Sequence, residues 1–147
     1  MKPASGDAKL VIRPFQTVDQ KAVIDLWQAC NLTRPWNNPR LDIARKLKLN
    51  PELLLVGTIN GKIVATVMAG YEGHRGSVNY LGVHQDFRRK GYGKEMMQAV
   101  RDKLLAMGCP KINLNVRMGN NEALRFYEAI GFKPDEVVCL GKRLIDD

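Results

Sequence analysis

At 147 residues, with 45% apolar and 26% charged side chains, the chain has the composition of one globular domain large enough to bury a core. No apolar run reaches the ~20 residues a membrane-spanning helix needs, so no membrane partner is expected. The net charge of +8 points to anionic partners, without choosing among a phosphate ligand, nucleic acid and plain solubility.

Residues 1–9 lack the apolar centre of a secretion signal and read as a flexible tail, leaving a single cytoplasmic domain over 10–147. Residues 10–15 form a short strand ended by Pro14. Thr17-Val18-Asp19-Gln20 has the form of a capping box, and Ala22, Val23, Leu26, Trp27 and Cys30 make one helical stripe behind it. Asn38 caps a second helix with Pro39 at its first position; Ile43, Ala44 and Leu47 carry its apolar face, and Pro51 stops it. Residues 53–59 and 62–71 are strands around Asn60-Gly61, the strongest short hairpin signal. Beyond a polar turn at 72–76 lies a further strand, 77–83, with an irregularity at Leu81-Gly82. Met97, Val100, Leu104 and Met107 then mark a long helix ended by Gly108. Ile112, Leu114 and Val116 alternate with Asn113, Asn115 and Arg117 as a strand over 112–117. Asn120 opens a helix with Ala123, Phe126, Tyr127 and Ile130 on one face, and residues 137–144 are a last strand. The order is β-α-α-β-β-β-α-β-α-β. Two of its strands, 77–83 and 112–117, are joined through a helix and so are parallel. Cys30, Cys109 and Cys139, odd in number and without metal-type spacing, read as reduced thiols in or near the core.

The chain is organised around Val78 to Ala106, where a strand, a basic loop with two glycines and a helix follow one another. The first turn of a helix has unpaired N–H groups and a partial positive charge, and glycine lets an anion approach them. A dinucleotide fingerprint would need a third glycine where Met96 stands, and a P-loop would need Ser or Thr where Glu95 follows Lys94. Both are excluded.

What remains, Arg88-x-x-Gly91-x-Gly93, resembles the acyl-CoA pyrophosphate loop of the GNAT N-acetyltransferases. A second motif, Asn120-x-x-Ala123-x-x-Phe126-Tyr127-Glu128-x-x-Gly131-Phe132, resembles that family's following helix, and the element order matches from about residue 10 to 144. Leu32-x-Arg34-Pro35-Trp36-Asn37, Gly73-His74-Arg75-Gly76, Gly108-Cys109-Pro110-Lys111-Ile112 and Leu140-Gly141-Lys142-Arg143-Leu144 are closer still to a small bacterial member. The resemblance implies an α/β GNAT fold, its mixed central sheet containing a splayed parallel strand pair. It also implies acetyl-CoA as co-substrate, with no metal. The pyrophosphate would lie on Arg88, Arg89, Lys90, Gly91, Tyr92, Gly93 and Lys94, mostly on backbone N–H groups, and the pantetheine arm along Leu81, Gly82 and Val83. Asn120 would bond the arm, and Tyr127 would protonate the departing thiolate as general acid.

The general base does not carry over. The histone-type glutamate position holds Ser77 and the ribosomal-type position holds Asn115, which leaves Glu72 and His74, acting directly or through water. The acceptor, a small-molecule or peptide amine, is expected near Arg34, Trp36, Tyr71 and Arg75; two arginines beside aromatic rings suit an amine that bears a carboxylate. No Cys-His pair accompanies the loop, so the amine attacks directly. A CoA-binding sensor without turnover is an alternative, favoured by the missing glutamates. A nucleic-acid module is another, weakened because the basic residues cluster at the loop and are otherwise scattered. A homodimer is left open.

Overall fold

The computed structural model describes residues 8–147. Asn60 and Gly61 both take positive φ, 50° and 80°, which matches the twist of a tight hairpin between β2 (Leu54–Ile59) and β3 (Lys62–Tyr71). β1 (Val11–Pro14) pairs antiparallel with β2, and β4 (Gly76–Val83) antiparallel with β3. β5 (Ile112–Asn113) runs parallel to β4, completing a mixed five-stranded sheet in the order β1-β2-β3-β4-β5.

Helices cover both faces. On one face, α3 (Tyr92–Ala106) sets Met96, Met97, Val100 and Leu104 against Leu55, Val64, Ala65, Val67 and Val78. Phe126, Tyr127 and Ile130, two of them from α4 (Asn121–Ala129) and one from its C-terminal end, pack at the edge of this core. On the other face, α1 (Gln20–Ala29) and α2 (Pro39–Lys46) bury Val23, Ile24, Trp27 and Ile43 against Leu54 and Val56. The α2 cap is the expected one: Asn38 Oδ1 accepts the N–H groups of Arg40 at 2.9 Å and Leu41 at 3.3 Å. The capping box before α1 is shifted by one residue, with the Asp19 carboxylate accepting the Gln16 N–H at 2.8 Å. Asp19 is buried there against Arg13, at 2.7 Å.

Of the expected tail, residues 1–7 lie outside the described residues. Ala8 and Lys9 already belong to the fold, since the Ala8 carbonyl accepts the Tyr92 hydroxyl at 2.7 Å. Two strand expectations change. The 112–117 strand keeps ladder pairing only at Ile112 and Asn113. The last strand, 137–144, does not form: the segment is extended but unpaired, with Val138, Leu140 and Leu144 more than 80% exposed. Its alternating pattern needs a paired neighbour strand, and residues 114–117 are themselves outside the ladder. Among the described residues, the segment is held through its side chains: Lys111 to Asp135 at 2.6 Å, Asn115 to Cys139 Sγ at 3.5 Å, Arg143 to Asn37 at 2.9 Å, and Arg45 to Asp147 at 2.9 Å. Cys139 is accordingly exposed rather than near the core, while Cys109 is buried and Cys30 half-buried. No helix among the described residues is long and apolar enough to cross a membrane.

Candidate active site

β4 and β5 are joined only at Gly76–Ile112 and Ser77–Asn113, with one further bond from the Gly76 N–H to Lys111 O. Past that point no ladder bond joins them, and we call the unpaired space between residues 78–83 on one bank and 114–117 on the other the wedge, closed at Gly76 and open towards Val83 and Val116. The cause lies in β4. Its register against β3 slips between Thr66 and Met68, so Gly82 and Asn79, three residues apart, face positions two apart. The extra residue is taken up at Tyr80, which sits at φ 55°, one position before the expected irregularity.

A β-formed residue with positive φ persists only where its surroundings fix it. Here the Tyr80 ring stacks on Trp27 at 3.7 Å between centroids, with 9° between the ring planes. Its hydroxyl donates to Asp42 Oδ2 at 2.6 Å, and its carbonyl accepts from Thr66 Oγ1 at 3.0 Å. Thr66 Oγ1 in turn accepts the Trp27 indole N–H at 3.0 Å. Burial, then the bond to Asp42, pushes the Tyr80 hydroxyl pKa up, so it stays protonated as a donor. Tyr80 thus fixes the bulge of β4, which strand alternation in the sequence does not mark, because alternation carries no sign of a left-handed residue.

The basic loop leaves β4 through a short helical turn at Gln85–Phe87 and enters α3 at Gly91. Arg89 and Gly91 both have positive φ, 64° and 84°, and this alternation turns successive N–H groups to one side. Among the described residues, the N–H groups of Arg89, Lys90, Gly91, Tyr92, Gly93 and Lys94 have no protein partner; the first to be used is that of Glu95, bonded to Gly91 O. Six consecutive free donors at the start of a fifteen-residue helix form an anion cradle. Space above Gly91 is open, whereas a Cβ on Gly93 would meet the Phe126 ring at 3.3 Å, so Gly93 lets α4 pack close.

Several expected contacts are arranged differently. Tyr92 contributes only its N–H, since its side chain is buried in the core. Arg88 folds back, its Nε donating to Val83 O at 2.9 Å, and so holds the loop to the end of β4. Arg89, Lys90 and Lys94 are exposed around the cradle. Gly82 does mark a close approach, but from behind: a Cβ there would meet Leu32 Cδ1 at 2.9 Å and Cys30 Sγ at 3.3 Å. Leu81 and Val83 point to the opposite face, packing on the α3 core.

Asn120 caps α4, its Oδ1 accepting the Ala123 N–H at 3.1 Å, which leaves its amide N–H groups free to donate. Tyr127 lies between Phe126 and Phe132, in edge contacts at 5.1 and 5.6 Å. Its hydroxyl has no partner among the described residues, and burial pushes its pKa up to about 12. It is a protonated donor in an apolar wall.

The residues of the β3–β4 turn are not brought to the open cleft. Glu72 accepts the backbone N–H groups of Arg75 and His74, and those bonds hold its pKa below the usual carboxylate range. A carboxylate stabilised in its charged form is a poor base. Tyr71 donates to Gly73 O at 3.2 Å and to Gly108 O at 3.4 Å, beside the far end of α3. Tyr71, Glu72, His74 and Arg75 thus stand at the closed end of the wedge, roughly 20 Å along β4 from the cradle. Ser77 is at the same end, beside Gly70 and Lys46. Arg34 is spent on the carbonyls of Asn31 and Thr33, both at 2.8 Å. Of the expected acceptor residues, Trp36 meets the segment after β5: it is about half exposed, with the Arg117 guanidinium 5.5 Å over its ring. No group of His, Cys, Asp and Glu among the described residues could hold a metal ion.

The sequence profile of the Acetyltransferase (GNAT) family matches residues 21–132. An acetyltransferase of Pectobacterium atrosepticum is 50% identical over 136 residues, covering 92% of this chain and 96% of its own. Among solved structures, Ard1 from Thermoplasma volcanium superposes with a TM-score of 0.74 at 28% identity, covering 84% of this chain and 82% of its own. The NatC complex bound to Gag peptide and CoA matches with a TM-score of 0.74 over 87% of each chain, at 22% identity, a likeness of fold.

Proposed function

The chain belongs to the acetyltransferase (GNAT) family and is an N-acetyltransferase, and we propose that it moves the acetyl group of acetyl-CoA to a primary amine by direct attack within the β4–β5 wedge. The observation that carries this reading is the cradle of six free N–H groups at 89–94, set at the open end of a strand pair that has separated. A pyrophosphate on the cradle leaves the pantetheine arm to run down the apolar gap towards Leu81, opposite Tyr127. The CoA held by the NatC neighbour agrees with that assignment.

In the reaction the amine nitrogen forms a bond to the thioester carbonyl carbon, the C–S bond breaks, and the amide product and CoA separate. One proton leaves the amine and one reaches the sulfur. Tyr127 is the donor to the sulfur; a thiolate departing into an apolar wall has its own proton affinity raised, which narrows the gap to a tyrosine at about 12. With Glu72 and His74 at the closed end, the amine proton passes to solvent at the open mouth. Activity should accordingly rise with pH as the acceptor amine becomes neutral.

Acetyl-CoA should raise the melting temperature of the wild-type protein, because a ligand that binds only the native state stabilises it. Gly91→Val should abolish that rise. A β-branched residue at φ 84° is strained, by about 1–2 kcal/mol, and its side chain occupies the open space over the cradle. If millimolar acetyl-CoA shifts neither melting nor calorimetric heat in the wild type, the assignment is wrong.

A further inference from the structure

Leu81, Val83 and Leu114 on the two banks pack on the apolar core, whereas Arg117, which follows the β5 bank, and Arg143 make no ion pair among the described residues. The loop between α1 and α2 is anchored to the β4 bank through Leu32, packed where a Gly82 side chain would begin. Trp36 lies farther along the same loop. Arg117 comes from the other bank, directly after Val116, and rests over the Trp36 ring at 5.5 Å. That contact crosses the mouth. Arg143 arrives from the C-terminal segment; its Nη2 donates to Asn37 Oδ1 at 2.9 Å, next to Trp36 in the chain, and its Nη1 to Ile145 O of its own segment at 3.3 Å.

Two carboxylates near this segment, Asp42 and Asp147, are already engaged, and Asp147 also attracts Arg143 from beyond ion-pair distance. Asp42 accepts the Tyr80 hydroxyl at 2.6 Å and lies 3.6 Å from Arg45. Asp147 takes both terminal nitrogens of Arg45 and the Asn38 N–H. Among the described residues, neither Arg117 nor Arg143 has a carboxylate within ion-pair distance, although Lys21, Lys111 and Arg13 all do. A guanidinium on an aromatic face keeps its edge N–H groups free for a planar or tetrahedral anion. Arg117 does so here over the half-exposed Trp36 ring, and Arg143 reaches Asn37, the next residue in the chain.

We propose that the acceptor is a small amine carrying its own anionic group, a carboxylate or a phosphate, which Arg117 and Arg143 receive beside Trp36 while the amine points into the wedge. The proposal rests on the acetyl-transfer reading above. It replaces Arg34, whose guanidinium is tied to its own loop, and it disfavours polycationic acceptors, which the same guanidinium groups repel.

The test separates anion binding from turnover. With the cofactor site filled by saturating CoA, glutarate and inorganic phosphate are titrated separately while the Trp36 indole N–H resonance is followed; buried Trp27 supplies the internal control. At least one anion should move the Trp36 signal, and the glutarate and phosphate arms identify which chemistry fits. In the double variant Arg117→Gln, Arg143→Gln that binding should weaken by about 10- to 100-fold, the scale of a charge-assisted hydrogen-bond pair. In turnover, β-alanine and phosphoethanolamine should be preferred over β-alaninamide, ethanolamine and spermidine. The double variant should lose the preference while keeping the wild-type KM for acetyl-CoA. Preference for spermidine or the neutral amines overturns the proposal, as does a Trp36 resonance untouched by both anions. A raised acetyl-CoA KM in the double variant overturns it too, by assigning the arginines to the cofactor. CoA that fails to bind the wild type refutes the acetyl-transfer reading itself, whereas CoA that binds with no anion response refutes only the acceptor class.

Discussion

Tyr80→Phe isolates the device that holds the wedge open. The substitution keeps the ring stacked on Trp27 and removes only the hydroxyl that donates to Asp42 at 2.6 Å. A hydrogen bond to a charged group contributes about 1.5–3 kcal/mol, and the Asp42 side chain is 23% exposed, which favours the lower part of that range. A loss of about 2 kcal/mol corresponds to about 4–8 °C in melting temperature for a domain of this size. The same bond ties the extra residue of β4 to α2. Its loss should therefore also weaken acetyl-CoA binding, by up to about 30-fold if the whole 2 kcal/mol had favoured the splayed form. Asp42→Asn keeps an acceptor oxygen and should fall between wild type and Tyr80→Phe on both measures. Calorimetric melting and isothermal titration with acetyl-CoA, both at pH 7, provide the two readings. A Phe variant that melts at the wild-type temperature and binds acetyl-CoA with wild-type affinity would refute the reasoning. One that melts lower but binds normally would confine Tyr80 to stability and detach it from the cleft.

Tyr127→Phe should leave acetyl-CoA affinity unchanged and lower kcat by about 10²-fold, with kcat/KM falling alongside it, because the donated proton matters only in the transition state. Near-wild-type kcat per CoA-binding molecule would remove Tyr127 from the mechanism. Asp19 tests the fold independently of the site. The hydrogen bond from Arg13, ahead of the opposing effect of burial, holds its pKa below the usual value. Its stabilising contribution is therefore complete above the unfolded-state pKa of about 3.9 and disappears as pH falls through the folded value. Asp19→Asn should be less stable than wild type in urea at pH 7, and the difference should narrow as pH falls below the unfolded-state pKa of about 3.9; a gap that stays constant in acid contradicts this.

Local signals were legible wherever a few neighbouring residues decide the outcome. Asn60-Gly61 dictated its hairpin, Asn38-Pro39 its helix start, and the stripe from Met97 to Leu104 its buried face, because each depends on backbone preferences or on a period of one helix. The cradle was equally legible. A glycine that must reach φ 84° before a helix, amid basic residues, has a local physical reason to be there. Acceptor recognition was less so. The expected arginine and turn residues share the right chemistry, but sequence does not record that β4 pairs with β5 at the turn's end and loses that pairing towards the loop.

The sequence by itself determined the order of elements, the anion-binding loop and the tyrosine of α4, since short-range sterics and hydrophobic periodicity act within a single stretch of chain. Only the tertiary structure decided the rest. It made Tyr80 the residue that bends β4, through partners on α1, α2 and β3. It released residues 114–117 from the sheet and so left 137–144 without a strand to pair. It also placed Arg117 of one bank over Trp36 of the other. Each of these outcomes depends on groups brought together from distant parts of the chain, and no local preference records such a meeting.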